Sequence, residues 1–300
     1  MANKKLGFVA IMAAGLLLLG GCANNSVSNG VDQSKVDKTA QALLPSTYLD
    51  KGINVASDIP WEPFEYNDAS GKLVGFDVEL GALIGQKLGV KVTFKKQAFD
   101  SIIPSLEAGT HDIIISDMND TIERQAKVDF VDYLIAGSEM IVNKGNPDNI
   151  MSSADLCGKT AIAEKGTSQI DLYATMSATC KTNGKQAINV ITLPDAPTAY
   201  NALRAKTGVA VMLDAQVAES AAATAGKGKY FEVVKDPAAP NGYGTALVGI
   251  ATLKADSKLR DAIQAAVKSL IADGQYATLL AKFKMETSGI VDATINGTKN

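Results

Sequence analysis

Two segments of this chain, far apart in sequence, follow the same pattern without a gap. Pro104-Ser105-Leu106-Glu107-Ala108 matches Asn201-Ala202-Leu203-Arg204-Ala205, and further on Ile113-Ile114-Ile115-Ser116-Asp117 falls on Ala210-Val211-Met212-Leu213-Asp214. Each copy runs from an amphipathic helix into an apolar strand that ends in an aspartate. A repeat of this kind restricts the chain to an architecture of two similar units. The competing explanation is coincidence, because helix-then-strand units resemble one another in any α/β protein.

The flanking patterns extend both units. In the first, strands are expected at Val55–Ser57, Val90–Phe94 and Ile113–Ser116; Phe76, Leu80, Leu83, Ile84 and Leu88 recur at helical spacing, as do Ile102, Ile103 and Leu106. In the second, strands are expected at Thr160–Ala163, Val190–Leu193 and Val209–Leu213, with helices at Ser168–Met176 and Ala196–Lys206. Such alternation predicts an α/β fold with mainly parallel sheets covered by helices. Two lobes of this type would present the loops at the carboxyl ends of their strands to a shared cleft. The chain is expected to cross between lobes near Ser138–Asn143 and Asn241–Ile250. That places lobe 1 at residues 49–137, lobe 2 at 138–242, and a return to lobe 1 with a C-terminal tail at 243–300, including helices at Ser257–Ala272 and Gln275–Phe283.

The N-terminus reads as an export signal. Lys4 and Lys5 precede an apolar run from Leu6 to Leu19, shorter than the roughly 20 residues needed to span a bilayer. Leu19-Gly20-Gly21-Cys22 resembles the lipobox of bacterial lipoproteins, which makes residues 1–22 the signal and Cys22 the lipidated residue; an ordinary signal peptide is the alternative. Residues 23–48 are polar at first and read as a flexible tether. Two further cysteines, Cys157 and Cys180, are expected to pair in the oxidising compartment that export implies, with two buried thiols as the alternative.

Charge and histidine content narrow the function. The net charge is −3, no basic block occurs and aromatic residues make up 6%, so neither nucleic-acid binding nor a membrane-surface helix is indicated. His111 is the sole histidine, which argues against Ser-His-Asp or Cys-His catalysis and against His-rich metal ligation. No Gly-rich phosphate loop is present, and no cofactor or metal is expected. Carboxylate-only catalysis and a sensor or interaction module stay open as alternatives, although the sequence ends near Asn300 with no further domain to signal through.

Several motifs, taken in order, resemble the solute-binding proteins of polar amino-acid ABC transporters, extracellular solute-binding family 3. The first-strand loop Asp58-Ile59-Pro60-Trp61-Glu62-Pro63-Phe64-Glu65-Tyr66 carries part of the likeness, and Gly71-Lys72-Leu73-Val74-Gly75-Phe76-Asp77-Val78 is similar to the hairpin and helix start that follow. Ser116 to Arg124 resembles the ligand loop, and Lys165-Gly166-Thr167-Ser168 and Asp214 occupy the corresponding places of the second lobe, so the likeness covers about Lys51 to Phe283. It implies a two-lobed, type II periplasmic-binding-protein-like fold with the ligand cleft between the lobes. It also implies capture of a free amino acid, permease subunits as partners, a monomer anchored to the outer face of the membrane by lipid only or periplasmic, and no enzymatic activity. A few members of this fold family are dehydratases.

A free amino acid presents one carboxylate and one ammonium. The Arg124 guanidinium is a planar fork suited to a carboxylate; without the surrounding motif it would read as a surface arginine paired with Glu123 or Asp120. Thr121, three residues earlier, is expected at a helix start whose free N–H groups face the anion. Asp214 is the matching acceptor for the ammonium, or a helix N-cap, or both. Thr167 and Ser168 are candidates to cap a helix or to donate to the carboxylate, and the lone Trp61 is expected to wall the cleft. Asp117-Met118-Asn119-Asp120 departs from the small neutral or hydroxyl residues usual in the family. Asp58, Glu65 and Asp117 together suggest a negative pocket for Lys, Arg or ornithine, with Gln or Glu as second choice.

Overall fold

The computed structural model describes residues 31–299; the signal, Cys22 and the first part of the tether lie outside the described residues. From residue 33 on, the expected tether is corrected. Helices α1 (Lys38–Leu43) and α2 (Ser46–Lys51) form there, and Ala40, Leu44 and Tyr48 are buried. Asp37 caps α1 by accepting from the N–H groups of Thr39 and Ala40, and Gln41 Nε2 donates to Leu88 O at 3.1 Å. The reason lies in spacing: three residues four apart stack on one side of a helical path. A polar composition can therefore hide an apolar stripe.

Lobe 1 begins with β1 (Ile53–Ser57), the short hairpin β2 (Tyr66–Asn67) and β3 (Leu73–Val74), then α3 (Phe76–Leu88), β4 (Val92–Lys96), α4 (Ile102–Glu107), β5 (Ile113–Ile114) and α5 (Ile122–Gln125). β4 starts two residues later than its apolar run predicts. Gly89 ends α3 at φ +75°, and the N–H of Val90 still bonds back to Gly85 O, so the turn consumes Val90. The long strand β6 (Val128–Asn143) carries the chain out of this lobe.

Lobe 2 repeats the order with β7 (Thr160–Glu164), α6 (Gln169–Thr182), β8 (Asn189–Leu193), α7 (Ala196–Arg204), β9 (Ala210–Asp214), α8 (Ala215–Thr224) and β10 (Phe231–Val234). The second long strand, β11 (Tyr243–Leu253), returns antiparallel to β6, and α9 (Ser257–Ala272) and α10 (Gln275–Phe283) pack on α3. Cys157 and Cys180 are bonded, tying the end of α6 to the segment before β7. With a sequence separation of 23, this closure is worth about 3 kcal/mol in the chain-entropy account.

Among the described residues, nine strands join into one sheet in the order β4-β1-β5-β11-β6-β9-β7-β8, with β10 also on β6. The internal repeat is visible in this order. β5 lies between parallel β1 and antiparallel β11, and β9 lies between parallel β7 and antiparallel β6. The helix and strand matched by sequence, α4–β5 and α7–β9, thus hold the same places in the two lobes.

Residues 292–298 lie back along β6. Asp132 N donates to Thr294 O and Asn296 N donates to Phe130 O. Asp132 Oδ2 accepts from Thr294 Oγ1 at 2.5 Å and from Gly297 N at 3.0 Å, while Asp120 Oδ2 accepts from Thr298 N at 3.1 Å. Burial, and then the nearby Asp120, push the Asp132 carboxyl up to about 7. An acid held above its unfolded value near 4 keeps its proton longer when folded. Its burial therefore costs nothing below about pH 4, costs progressively more toward pH 7, and is fully unfavourable above it. Asp132→Asn is expected to match the wild type at pH 4 and to be more stable at pH 8, by roughly 1–2 kcal/mol after allowance for solvent around the group. Thermal melts at both pH values check this; equal melting temperatures at pH 8 would show that the carboxyl is not strained.

Candidate functional site

Where the strand ends of the two lobes meet, they close on a narrow space of about 10 Å³, room for about one water molecule, so an amino acid enters only as the lobes part. Asp58, Trp61, Asp117, Asn119 and Arg124 reach it from lobe 1, and Glu164, Thr167, Ser168 and Asp214 from lobe 2. A larger, shallower hollow of about 220 Å³ lies outside it, past Thr121 and Lys127, with Arg124 on the boundary of both. The enclosed cavity is the better candidate site because the convergent charges are there.

Arg124 spans the lobes. Its Nη1 donates to Asn119 O at 2.9 Å and its Nη2 to Gly166 O at 3.0 Å, with the guanidinium 5.3 Å from the Phe99 ring centroid. Only two of its five N–H donors are used by these bonds, so the fork is oriented but not saturated. Gly166 sits at φ +86°, and a side chain there would fall 2.8 Å from the Asp100 Cα, so the close approach of the lobes needs glycine. Ser168 Oγ donates to Asn119 Oδ1 at 2.6 Å, and Lys165 pairs with Asp100 at 2.8 Å, adding two more contacts between lobes.

Asp214 follows the apolar run of β9 and stands at the N-cap position of α8, yet its side chain makes no cap hydrogen bond. It turns instead to the cavity, 3% exposed, and accepts from Gln169 Nε2 at 3.0 Å. Burial pushes its carboxyl up to about 6, against the opposing pull of Asp117, Arg124, Ser138 and Gln169. Its repeat partner Asp117 faces it from lobe 1, at φ +43°. Asp117 Oδ2 accepts from Trp61 Nε1 at 2.9 Å, and its N–H donates to Asp77 Oδ2 at 2.8 Å. Burial, with Asp214 and Asp77 nearby, holds the Asp117 carboxyl well above the usual range. Trp61 is 7% exposed and lines the cavity.

Beneath the site, Tyr133 Oη donates to Asp77 Oδ1 at 2.8 Å, and Phe76 packs against Phe64, Tyr133 and Phe283 with ring centroids 5.7–6.2 Å apart. Glu65 lies behind the wall, fully buried, accepting from Ser116 Oγ at 2.7 Å, while Ser116 Oγ in turn accepts from Asp58 N at 2.8 Å. This rigid layer fixes the strand ends on which Asp58 and Asp117 sit.

Three expected residues behave differently. The Met118 side chain is 1% exposed, packs with Ile102, Leu106 and Phe130, and borders the outer hollow rather than the space between the strand ends. The Asp117 side chain faces the cavity and the next turns into the core. Thr121 caps α5, accepting from Arg124 N at 3.2 Å, but it lines the outer hollow, and a helix of four residues offers no extended anion site. Thr167 Oγ1 donates to Glu164 O at 2.8 Å, which leaves the start of α6 without a side-chain cap.

Glu164, Ser116, Phe99 and Gln169 also line the cavity without having been singled out as site residues. The signal for Glu164 was available: an acid at the end of an apolar parallel strand, as with Asp214. Among the described residues no group of three or more His, Cys, Asp or Glu is arranged to hold a metal ion. A cavity with four carboxyls and one guanidinium is complementary to a small molecule with one anionic and more than one cationic centre.

Comparison with known proteins agrees with this architecture. The sequence profile of the Bacterial extracellular solute-binding proteins, family 3, matches residues 53–286. The arginine-binding protein ArgT of Corynebacterium glutamicum is 30% identical over 260 residues, covering 85% of this chain and 82% of that protein. An ancestral arginine-binding protein bound to arginine superposes with a TM-score of 0.67 at 32% identity, over 77% of this chain and 97% of its own. The ancestral amino acid-binding protein AncCDT-1, a precursor of cyclohexadienyl dehydratase, superposes with a TM-score of 0.69 at 28% identity, over 81% of this chain and 99% of its own. The architecture is the two-lobed α/β fold of these binding proteins, and the chain belongs to the bacterial extracellular solute-binding proteins, family 3.

Proposed function

We propose that this protein captures a free α-amino acid between its lobes, with a basic side chain preferred over Gln or Glu, and passes it to the permease of an ABC importer. The observation that carries the reading is that Arg124 and Asp214 line the same narrow space between the lobes, a cation and an acid facing one site. Arg124 holds the α-carboxylate, Asp214 and Asp117 accept from the α-ammonium, and Trp61 walls the side chain. Ser168 and Asn119 close the cavity beside the carboxylate. The names of the similar proteins support the class, since ArgT is called arginine-binding.

A melting screen of the wild-type protein against single amino acids tests the class. A ligand at a hundred times its dissociation constant stabilises by about 2.7 kcal/mol, so the melting temperature rises visibly for its ligands. No rise with any amino acid sinks the proposal. The carboxyl cluster and the similarity to a dehydratase precursor favour one second reading, a carboxylate-dependent dehydratase; a ligand recovered with altered mass from the same incubation would support it.

The protein works outside the cell membrane, as a monomer held by lipid on Cys22 after cleavage before that residue removes residues 1–21. No described helix is long and apolar enough to cross a membrane. Cys22→Ala is expected to move the protein from the membrane to the soluble fraction; an unchanged distribution on fractionation argues against lipid anchoring.

A further inference from the structure

The turn that carries Arg124 is not held by packing. Helix α5 has four residues, and none of them is buried. Of the two bonds made by the Arg124 fork, the one from Nη1 stays within lobe 1, on Asn119 O, and the one from Nη2 crosses to Gly166 O of lobe 2. The crossing bond is lost when the lobes part to admit a ligand. In the open protein the fork then depends on whatever fixes α5 to lobe 1.

Among the described residues, Gln125 is the one side chain of α5 besides Arg124 that hydrogen-bonds outside the helix, and it reaches the far end of the chain. Its Nε2 donates to Asp120 Oδ1 at 2.8 Å and to Thr298 O at 2.9 Å, while Thr298 N donates to Asp120 Oδ2 at 3.1 Å. Asp120, Gln125 and Thr298 thus close a ring around the segment that bears Arg124. Asp120 is fully buried and its own N–H is fixed on Leu247 O of β11, so the ring is anchored. The strap that brings Thr298 here is anchored too. Val131 pairs with Ile250 of β11 on one side and bridges to Ile295 on the other. Asn296 Oδ1 accepts from Phe130 N at 2.8 Å, and Ala293, fully buried, accepts at its carbonyl from Gln264 Nε2 at 2.8 Å. The whole strap lies past Glu286, the last residue of the family match.

We propose that Gln125 is a positioning residue for the ligand carboxylate: clamped by Asp120 and the C-terminal strap, it holds the turn of Arg124 in place while the lobes are apart. The proposal rests on the reading of Arg124 as the group that binds the carboxylate. A loosened turn spreads the fork over many orientations, and binding must then order it again, a cost that falls on affinity and not on the fold. A lysine has no planar fork to orient, so the clamp has little to act on in Arg124→Lys.

Titration calorimetry with L-arginine tests this on the wild type, Gln125→Met and Thr298→Pro, each also combined with Arg124→Lys. Met keeps the length and helix propensity of Gln but has no N–H to donate, and Pro removes the N–H that reaches Asp120. Gln125→Met is expected to weaken binding about 5- to 20-fold, with Thr298→Pro changing it in the same direction. The melting temperature of the empty protein is expected to move by less than about 2 °C in Gln125→Met. In Arg124→Lys the same changes are expected to cost less than about twofold, which a merely structural role does not predict. Wild-type affinity retained in both variants overturns the proposal. So does a loss as large with Lys at 124 as with Arg, and this comparison decides even where a variant lowers the melting temperature. A wild type that does not bind L-arginine contradicts the functional reading, takes the proposal with it, and shows this before any variant is compared.

Discussion

Arg124→Ala is expected to weaken amino-acid binding about 10²- to 10⁴-fold while leaving the melting temperature of the empty protein nearly unchanged. The expected loss follows from two charge-assisted hydrogen bonds at about 1.5–3 kcal/mol each. The geometry explains why the side chain is ready for this role. Asn119 O and Gly166 O fix the fork from opposite lobes, and the Phe99 ring backs it, so little freedom remains to be lost on binding. Nothing in the core depends on these contacts. Arg124→Lys keeps the charge but not the fork, and is expected to recover only part of the loss. Calorimetry decides; a loss under about threefold in Arg124→Ala contradicts the carboxylate assignment.

Asp214→Asn is expected to reduce affinity about 10- to 100-fold and, unusually for a buried substitution, to stabilise the empty protein at alkaline pH. The smaller loss reflects Asp117, which stands beside Asp214 and retains an acceptor for the ammonium. The stability effect follows from linkage. Folding raises the Asp214 carboxyl to about 6, so the folded state holds a proton that the unfolded state releases above about pH 4. Stability attributable to this group is therefore lost as pH rises from about 4 through 6, and Asn avoids that loss. Weaker binding together with a higher melting temperature at pH 8 and an equal one at pH 4 marks a residue kept for its ligand. Weaker binding with a lower melting temperature at every pH would mark a structural role instead.

The parts of the fold legible in the sequence are those set by local pattern. Helix α3, the pairing of α4–β5 with α7–β9, and the placing of aspartates 117 and 214 at equivalent strand ends follow from apolar spacing and one internal comparison. The family resemblance put Arg124, Trp61 and Asp214 into one site, and the structure has them lining one cavity. What escaped depends on information that sequence spacing does not carry. Met118 belongs to the loop Ser116 to Arg124 that resembles the family's ligand loop, but next to the cavity-facing Asp117 its side chain turns into the core. Glu164 falls between the strand expected at Thr160–Ala163 and the Lys165-Gly166-Thr167 motif, and its equivalence to Asp58 appears only through the pairing of Val55 with Ile113 and Ala161 with Ala210. The tether was misread because Ala40, Leu44 and Tyr48 are sparse in composition but aligned in space. The packing of residues 292–298 on β6 has no local signature, since it rests on Asp129, Asp132 and Asp120 far earlier in the chain.

The central claim is that both ends of an amino-acid zwitterion are held between the lobes, and a crystal structure of the protein with L-arginine tests it most directly. The predicted result is one molecule in the enclosed cavity, its α-carboxylate bidentate on Arg124 and its α-ammonium on Asp214, at about 2.7–3.2 Å. Arginine bound in the reverse sense, with its guanidinium toward Asp214 and its carboxylate away from Arg124, or bound only in the outer hollow, would contradict the account.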